Sequence, residues 1–395
     1  MRTIGIICEC NPLHDGHLYL LSCARKSGAD VAVAVMSSCF VQRGEAAIAD
    51  PYARAEILVR CGFDAVVSLP FPYAAASAEF FGAAGVDILS RLGVDEVWFG
   101  SECGDVELLS RIARVADDET FLARYRGTVK NCDGTARAYF DALREACEEQ
   151  SLTLHPNDIL ALSYIRAIQK SGSRIRPVTV KRKGCGYNDQ ALTDAYPSAT
   201  ALRRAWREVG LEAIRSRLPA PAYEVLARES ANGRAPASLS HAEALVLGHL
   251  RLRDPARLTA ELDEGLSQRL THAASRAATL DEFYVLCATK KYTDARIRRA
   301  TLFSLCGVTD ADLRVPVAYT RLLAANRTGC AFLSSVRKSA TISVVTRQTD
   351  LPQSEAAQRQ YAWEARERSL WSLCLPRAES GEALARRTPL ILEEK

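Results

Sequence analysis

A chain of 395 residues is too long for one compact core, so two domains of ordinary size are expected. Hydrophobic residues at 48% and charged residues at 25% exclude a disordered or fibrous protein. The net charge of +4 hides an asymmetry: residues 1–206 carry 23 Lys and Arg against 25 Asp and Glu, whereas residues 207–395 carry 28 against 22. A near-neutral front and a basic back suit a catalytic part joined to one that binds a polyanion.

The first hundred residues alternate apolar runs with amphipathic stretches. Strands are expected at Thr3–Cys8, Asp30–Met36, Ala65–Ser68 and Glu96–Phe99, with helices at His17–Ser27, Pro51–Cys61 and Glu79–Leu92. Short, uniformly apolar strands separated by helices indicate a parallel sheet covered on both faces, whose ligands sit at the carboxyl ends of the strands. The unusual residues fall at those ends: Glu9–His17, Ser37–Glu45, Pro70–Tyr73 and Gly100–Glu102. Helices are expected at Val106–Ala116, Phe121–Lys130, Ala136–Gln150 and Asn157–Lys170, forming an insertion over about 104–172. A strand follows at Ile175–Lys181, then a Gly-rich turn and a helix from Ser198. Beyond Trp206 the pattern is helical, with one or two strands possible in Val315–Val345.

No apolar stretch reaches the roughly 18 residues of a membrane span; the longest candidate, Ala65–Ala78, carries Pro70 and Pro72. The N-terminus lacks the layout of a signal peptide. The 13 cysteines are odd in number, with no CxxC pair and no zinc-type spacing, so reduced thiols in a cytoplasmic setting are expected and no metal centre.

The strongest local signal is Asn11-Pro12-Leu13-His14-Asp15-Gly16-His17, an HxGH sequence after the first strand and opening a helix. A helix N-terminus is a ready anion site, and Gly16 lets backbone approach a phosphate. His14 and His17 can donate to phosphate oxygens and stabilise charge on a departing pyrophosphate. The second signal is Ser198-Ala199-Thr200-Ala201-Leu202-Arg203, where Ser198 caps a helix and Arg203 lies one turn inward. HxGH early and S-x-T-x-[IL]-R late resemble the nucleotidylyl-transferase superfamily, with Leu202 where isoleucine is usual. No Walker A, GxGxxG or kinase pattern occurs.

Further segments narrow the resemblance. Phe40-Val41-Gln42-Arg43-Gly44-Glu45, Leu69-Pro70-Phe71-Pro72-Tyr73, Phe99-Gly100-Ser101-Glu102, Pro156-Asn157-Asp158-Ile159-Leu160, Lys181-Arg182-Lys183-Gly184-Cys185-Gly186-Tyr187 and Lys290-Lys291-Tyr292-Thr293-Asp294-Ala295-Arg296-Ile297 stand in order along the chain. Together they resemble the tRNA(Met) cytidine acetate ligases. The resemblance implies a Rossmann-like α/β domain over 1–206 that binds ATP, and a mostly helical tRNA-binding domain over 207–395. It implies a cytoplasmic enzyme that joins acetate to N4 of the wobble cytidine of elongator tRNA(Met). Acetyl-adenylate and pyrophosphate form first, and AMP leaves in the second step.

Carried over residue by residue, ATP falls on Ile7-Cys8-Glu9-Cys10-Asn11-Pro12-Leu13-His14-Asp15-Gly16-His17-Leu18-Tyr19-Leu20, on Gly100, Asn157 and Arg182, and on Ser198 and Arg203. His14 and His17 are the catalytic pair. Cys10 stands where the family has tyrosine, and Ser38-Cys39 where it has Gly-Asn. Arg43 and Glu45 suit substrate holding or a solvated loop ion pair. Glu102 and Asp105 suit Mg²⁺ through water or, for Asp105, a helix cap. Lys290, Lys291, Arg296 and Arg299 suit RNA phosphates, with Tyr292 for stacking on a base. Two rivals share the front motifs: a small-molecule adenylyl transferase, and a tRNA-binding relative without catalysis.

Overall fold

A computed structural model describes residues 1–129, 136–147, 153–182 and 198–393. The Gly-rich turn, Lys183–Tyr187 and the last residues expected for two of the insertion helices lie outside them. The strands are β1 (Thr3–Cys8), β2 (Val31–Ser37), β3 (Ala65–Leu69), β4 (Glu96–Ser101), β5 (Arg176–Lys181), β6 (Tyr319–Ala325), β7 (Ser343–Val345) and β8 (Leu390–Ile391). They form one sheet in the order β5-β4-β1-β2-β3-β6-β7, with β8 also on β6. The first five strands run parallel. Every residue of β1, β2 and β3 is buried, as their unbroken apolar runs require when helices cover both faces.

On one face Val31, Val33 and Val35 pack with Ile88, Leu109 and Ile165 from helices Ala78–Arg91, Val106–Ala116 and Pro156–Ser171. On the other, Ala32, Ala34 and Met36 meet Leu21, Ile57 and Leu202 from helices Asp15–Lys26, Pro51–Arg60 and Ala199–Val209. The chain order reverses at β1, which lies between β2 and β4, so a crevice opens at the carboxyl ends there.

The division expected at 206 falls inside helix Ala199–Val209, and the chain returns to the sheet long after it. β6 pairs antiparallel with β3, Ala65 opposite Ala325, and carries β7 and β8 as parallel neighbours. The helical part is also not detached. Phe40, Phe71 and Ala75, from the segments after β2 and β3, share a core with Leu270, Phe283, Phe303 and Trp371. Local periodicity marks a strand or a helix but carries no information about which distant edge it joins.

Candidate active site

β1 delivers the chain into a tight turn at the crevice. Cys10 takes φ 46°, in the left-handed region that costs an L-residue about 1–2 kcal/mol. Asn11 is buried: its Oδ1 accepts from Ile48 N at 2.7 Å, while its Nδ2 has no hydrogen-bond partner among the described residues. His14 then caps helix Asp15–Lys26. Its Nδ1 accepts from Gly16 N at 3.1 Å, and His17 Nδ1 accepts in return from His14 N at 3.4 Å. The ring centroids are 4.1 Å apart.

This reciprocal cap fixes the tautomers. With each Nδ1 accepting a backbone N–H, the proton of each neutral imidazole lies on Nε2, leaving two N–H donors at a helix N-terminus. Burial, helped by the Arg182 charge, lowers His14 to about 4. Burial, His14 and Arg182 likewise hold His17 well below its usual range. Both rings are therefore neutral donors at pH 7.

A pH dependence follows. His14 titrates at 6.5 in the unfolded chain and about 4 in the folded one. Between those values the unfolded state binds more protons, so this group's stabilising effect is complete above 6.5 and is lost as the pH falls toward 4. The urea midpoint should drop further between pH 7 and pH 5 in the wild type than in His14→Asn, which keeps a capping oxygen but does not titrate. Superimposable pH profiles would exclude the depressed value.

The helix from Ser198 reaches the same turn. Ser198 Oγ accepts from Ala201 N at 3.2 Å. Arg203, buried, donates to Asn11 O at 2.8 Å and to Glu45 at 2.7 Å, so it ties the HxGH turn to the loop after β2. Burial alone would raise the Glu45 carboxyl, but Arg203, Arg298 and Arg207 outweigh it and hold it below its usual value. Glu9 accepts from Gln42 N at 3.0 Å, and burial raises its carboxyl against Arg203 and Arg43. Helix Asp294–Cys306 closes over this loop at Gly44. There φ is +73°, and a Cβ would sit 2.6 Å from backbone atoms of Arg298 and Arg299.

Across the crevice, β4 and β5 supply the remaining predicted residues. Arg182 N donates to Ser101 O at 3.0 Å. Its guanidinium is exposed and makes no ion pair among the described residues, yet its charge reaches both histidines. Gly100 admits it, since a Cβ there would lie 3.2 Å from Arg182 Cγ. Asn157, in the first turn of helix Pro156–Ser171, donates to Glu102 Oε1 at 2.6 Å, and Glu102 Oε2 accepts from Asp158 N at 3.0 Å. Asp105 caps helix Val106–Ala116, accepting from Glu107 N and Leu108 N at 2.9 Å each. Both acids are thus committed, and the described residues contain no cluster fit to hold a metal ion. Of the two readings open for Asp105, the structure shows the helix cap.

The sequence matches the HIGH Nucleotidyl Transferase family over residues 1–385. A tRNA(Met) cytidine acetate ligase of Syntrophotalea carbinolica is 37% identical over 358 residues, covering 88% of this chain and 85% of that one. Its counterpart in Caldicellulosiruptor saccharolyticus is 37% identical over 345 residues, 86% of each chain. The chain belongs to the tRNA(Met) cytidine acetate ligase family. Its fold agrees with the crystal structure of apo Thermotoga maritima TmcAL at a TM-score of 0.93 and 32% identity, over all of both chains. The same protein bound with alpha-thio ATP gives 0.90 and 30%, again over all of both.

At Ser38-Cys39 a distant helix makes contact. Glu367, on helix Glu355–Ser372, accepts from the Ser38 hydroxyl at 2.6 Å and from Cys39 N at 2.9 Å and Phe40 N at 3.2 Å. Arg54 is a second organiser that sequence reasoning missed. Buried, it donates to Ala49 O, Glu9 O, Ser37 O and Ser38 O and so fixes the exits of β1 and β2. It lies in an amphipathic helix pattern that gives no sign of an inward-facing charge.

The expected RNA cluster is largely corrected. Tyr292 is buried with its hydroxyl on Asp263 at 2.8 Å, which removes it as a stacking platform. Arg299 is buried on Glu261, and Arg296 bonds Glu261 O and Asp263. Tyr292 and Arg299 build the fold, because Glu261 and Asp263 arrive from a turn some thirty residues upstream that sequence spacing does not connect to them, while Arg296 keeps 32% of its side chain exposed. Lys290 and Lys291 are exposed.

Proposed function

We propose that this chain is an ATP-dependent acetate ligase that forms N4-acetylcytidine at the wobble position of elongator tRNA(Met). The observation that carries the reading is the reciprocal His14–His17 cap, which aims two neutral Nε2–H donors from a helix N-terminus. Asn11 Nδ2 and the Arg182 guanidinium, both without a partner among the described residues, add polar groups suited to phosphate oxygens.

An acetate oxygen attacks the α-phosphorus in line and the bond to the β-phosphate oxygen breaks, giving acetyl-adenylate and pyrophosphate. His14, His17 and Arg182 stabilise the charge that builds on the departing pyrophosphate. The cytidine N4 amine then attacks the acetyl carbonyl, loses a proton and releases AMP. Magnesium carried by the nucleotide would neutralise phosphate charge, and no cluster among the described residues would hold it independently. Labelled acetate, ATP and unmodified tRNA(Met) should give ATP-dependent label in the RNA. Label absent while a mononucleotide acceptor supports ATP turnover would favour a small-molecule adenylyl transferase.

The basic back half and the exposed Lys290–Lys291 pair support tRNA contact on that side. Converting both lysines to glutamine should lower the slope of log tRNA affinity against log salt by about 2. An unchanged slope would place the RNA elsewhere.

A further inference from the structure

The segment after β2 and strand β3 meet β6 and helix Glu355–Ser372 around a cavity of about 40 Å³ whose walls include Ser38, Tyr52, Ser68, Arg321, Glu364 and Arg368. One water needs about 10–15 Å³ of such space, so the cavity takes about three waters or one ion of about four heavy atoms. None of the groups assigned above to the triphosphate lines it.

Arg368 points to an anion. Its side chain is 10% exposed, its Cζ lies 5.3 Å from the Tyr361 ring centroid, its Nη1 makes one long bond of 3.4 Å to Glu364 Oε2, and its Nε is buried without a hydrogen-bond partner among the described residues. That same oxygen already accepts from Arg321 Nε at 2.7 Å, so one carboxylate serves two guanidiniums. The Ser68 hydroxyl also lacks a partner among the described residues and lines the same space.

The other charges here do not close the deficit. Arg387 is matched by Asp50 at 2.8 Å, and Arg54 is spent on carbonyls. Glu367 is occupied by Ser38, Cys39 and Phe40, and burial, the largest influence on it, pushes its carboxyl up to about 7. Among the described residues, Arg321 and Arg368 thus share the single carboxylate of Glu364, while Asp50 is taken by Arg387 and Glu367 by the loop after β2. A buried guanidinium left short of partners is costly, and polar space beside it favours a compensating anion.

We infer that this cavity is a binding site for one small carboxylate of the size of acetate, held by Arg368 with the Ser68 hydroxyl alongside. The site stands on the cavity and Arg368, whether or not it feeds the acetyl transfer proposed above.

Sodium acetate titrated against sodium chloride at constant ionic strength, read by thermal melting and by the NMR linewidth of ¹³C-acetate, tests it. The wild type should show saturable stabilisation and broadening. Arg368→Gln should weaken the apparent affinity at least about tenfold, the loss of a hydrogen-bonded charge contact. Ser68→Val should do the same with every charge in place, because its methyl groups take the space in a strand that tolerates valine. No effect of acetate beyond chloride in the wild type, or equal binding by wild type and both folded variants, would overturn the site.

The KM for acetate separates the sources. A rise in Arg368→Gln with ATP affinity unchanged assigns the cavity to the reacting acetate. Lost titration with an unchanged KM assigns it to a second carboxylate that fastens the C-terminal helix to the loop after β2. The titration needs no turnover, so it reads out even if the proposed reaction fails.

Discussion

Replacing His17 with alanine is expected to lower kcat for acetyl transfer by about 10²–10³-fold, the usual cost of one preorganised donor at developing charge. The substitution also removes the acceptor for His14 N, worth about 1 kcal/mol of stability. Glutamine separates the two effects. At the third helical position it can reach back to the capping residue's N–H, as in an ordinary capping box, without placing an imidazole N–H on the phosphates. His17→Gln should therefore melt close to the wild type and remain slow. Steady-state kinetics beside thermal melts decide the matter, and a His17→Ala enzyme that turns over normally would remove the imidazole from the chemistry.

Arg203→Ala should destabilise the fold by about 3 kcal/mol and abolish ATP binding. The lower end of the range for breaking a buried pair applies because Glu45 keeps Arg298 and Arg207 near it. Losing Arg203 leaves Asn11 O without its donor and frees the HxGH turn from the loop after β2. Lysine can reach one of those acceptors but lacks the fork to hold both, so Arg203→Lys should recover part of the stability and little of the nucleotide affinity. Urea unfolding with nucleotide titration checks both effects; an alanine variant with an unchanged midpoint would show that the bridge carries no weight.

The parallel half of the sheet was legible because β1 to β3 are buried on both faces, and only unbroken apolar runs satisfy that. The HxGH turn was legible for a related reason: a chain leaving a strand to open a helix must carry a cap, and His14 takes that position. Arg203 could be placed one turn inside its helix, but its partner Glu45 is far away in sequence. The same blindness to long-range partners produced the misreading of Tyr292 and Arg299, whose acids lie on an upstream turn. It also hid Glu367, which meets Ser38 across most of the chain. β6 was visible as a possible strand, yet its antiparallel seat on β3 depends on a pairing that no local pattern encodes.

That seat has a consequence for how the molecule is made. On the ribosome, β3 emerges with one side unpaired, and its partner β6 lies 260 residues later, from Ala65 to Ala325. At about 5–20 residues per second, the nascent chain holds an open sheet edge for roughly 13–50 seconds. Throughout that interval the apolar run Ala65–Leu69 is a template for pairing with neighbouring nascent chains. Fragments ending near residue 206 would keep that edge permanently, so expression of the front half alone should yield aggregates, and chaperone demand should peak while the helical part is being translated.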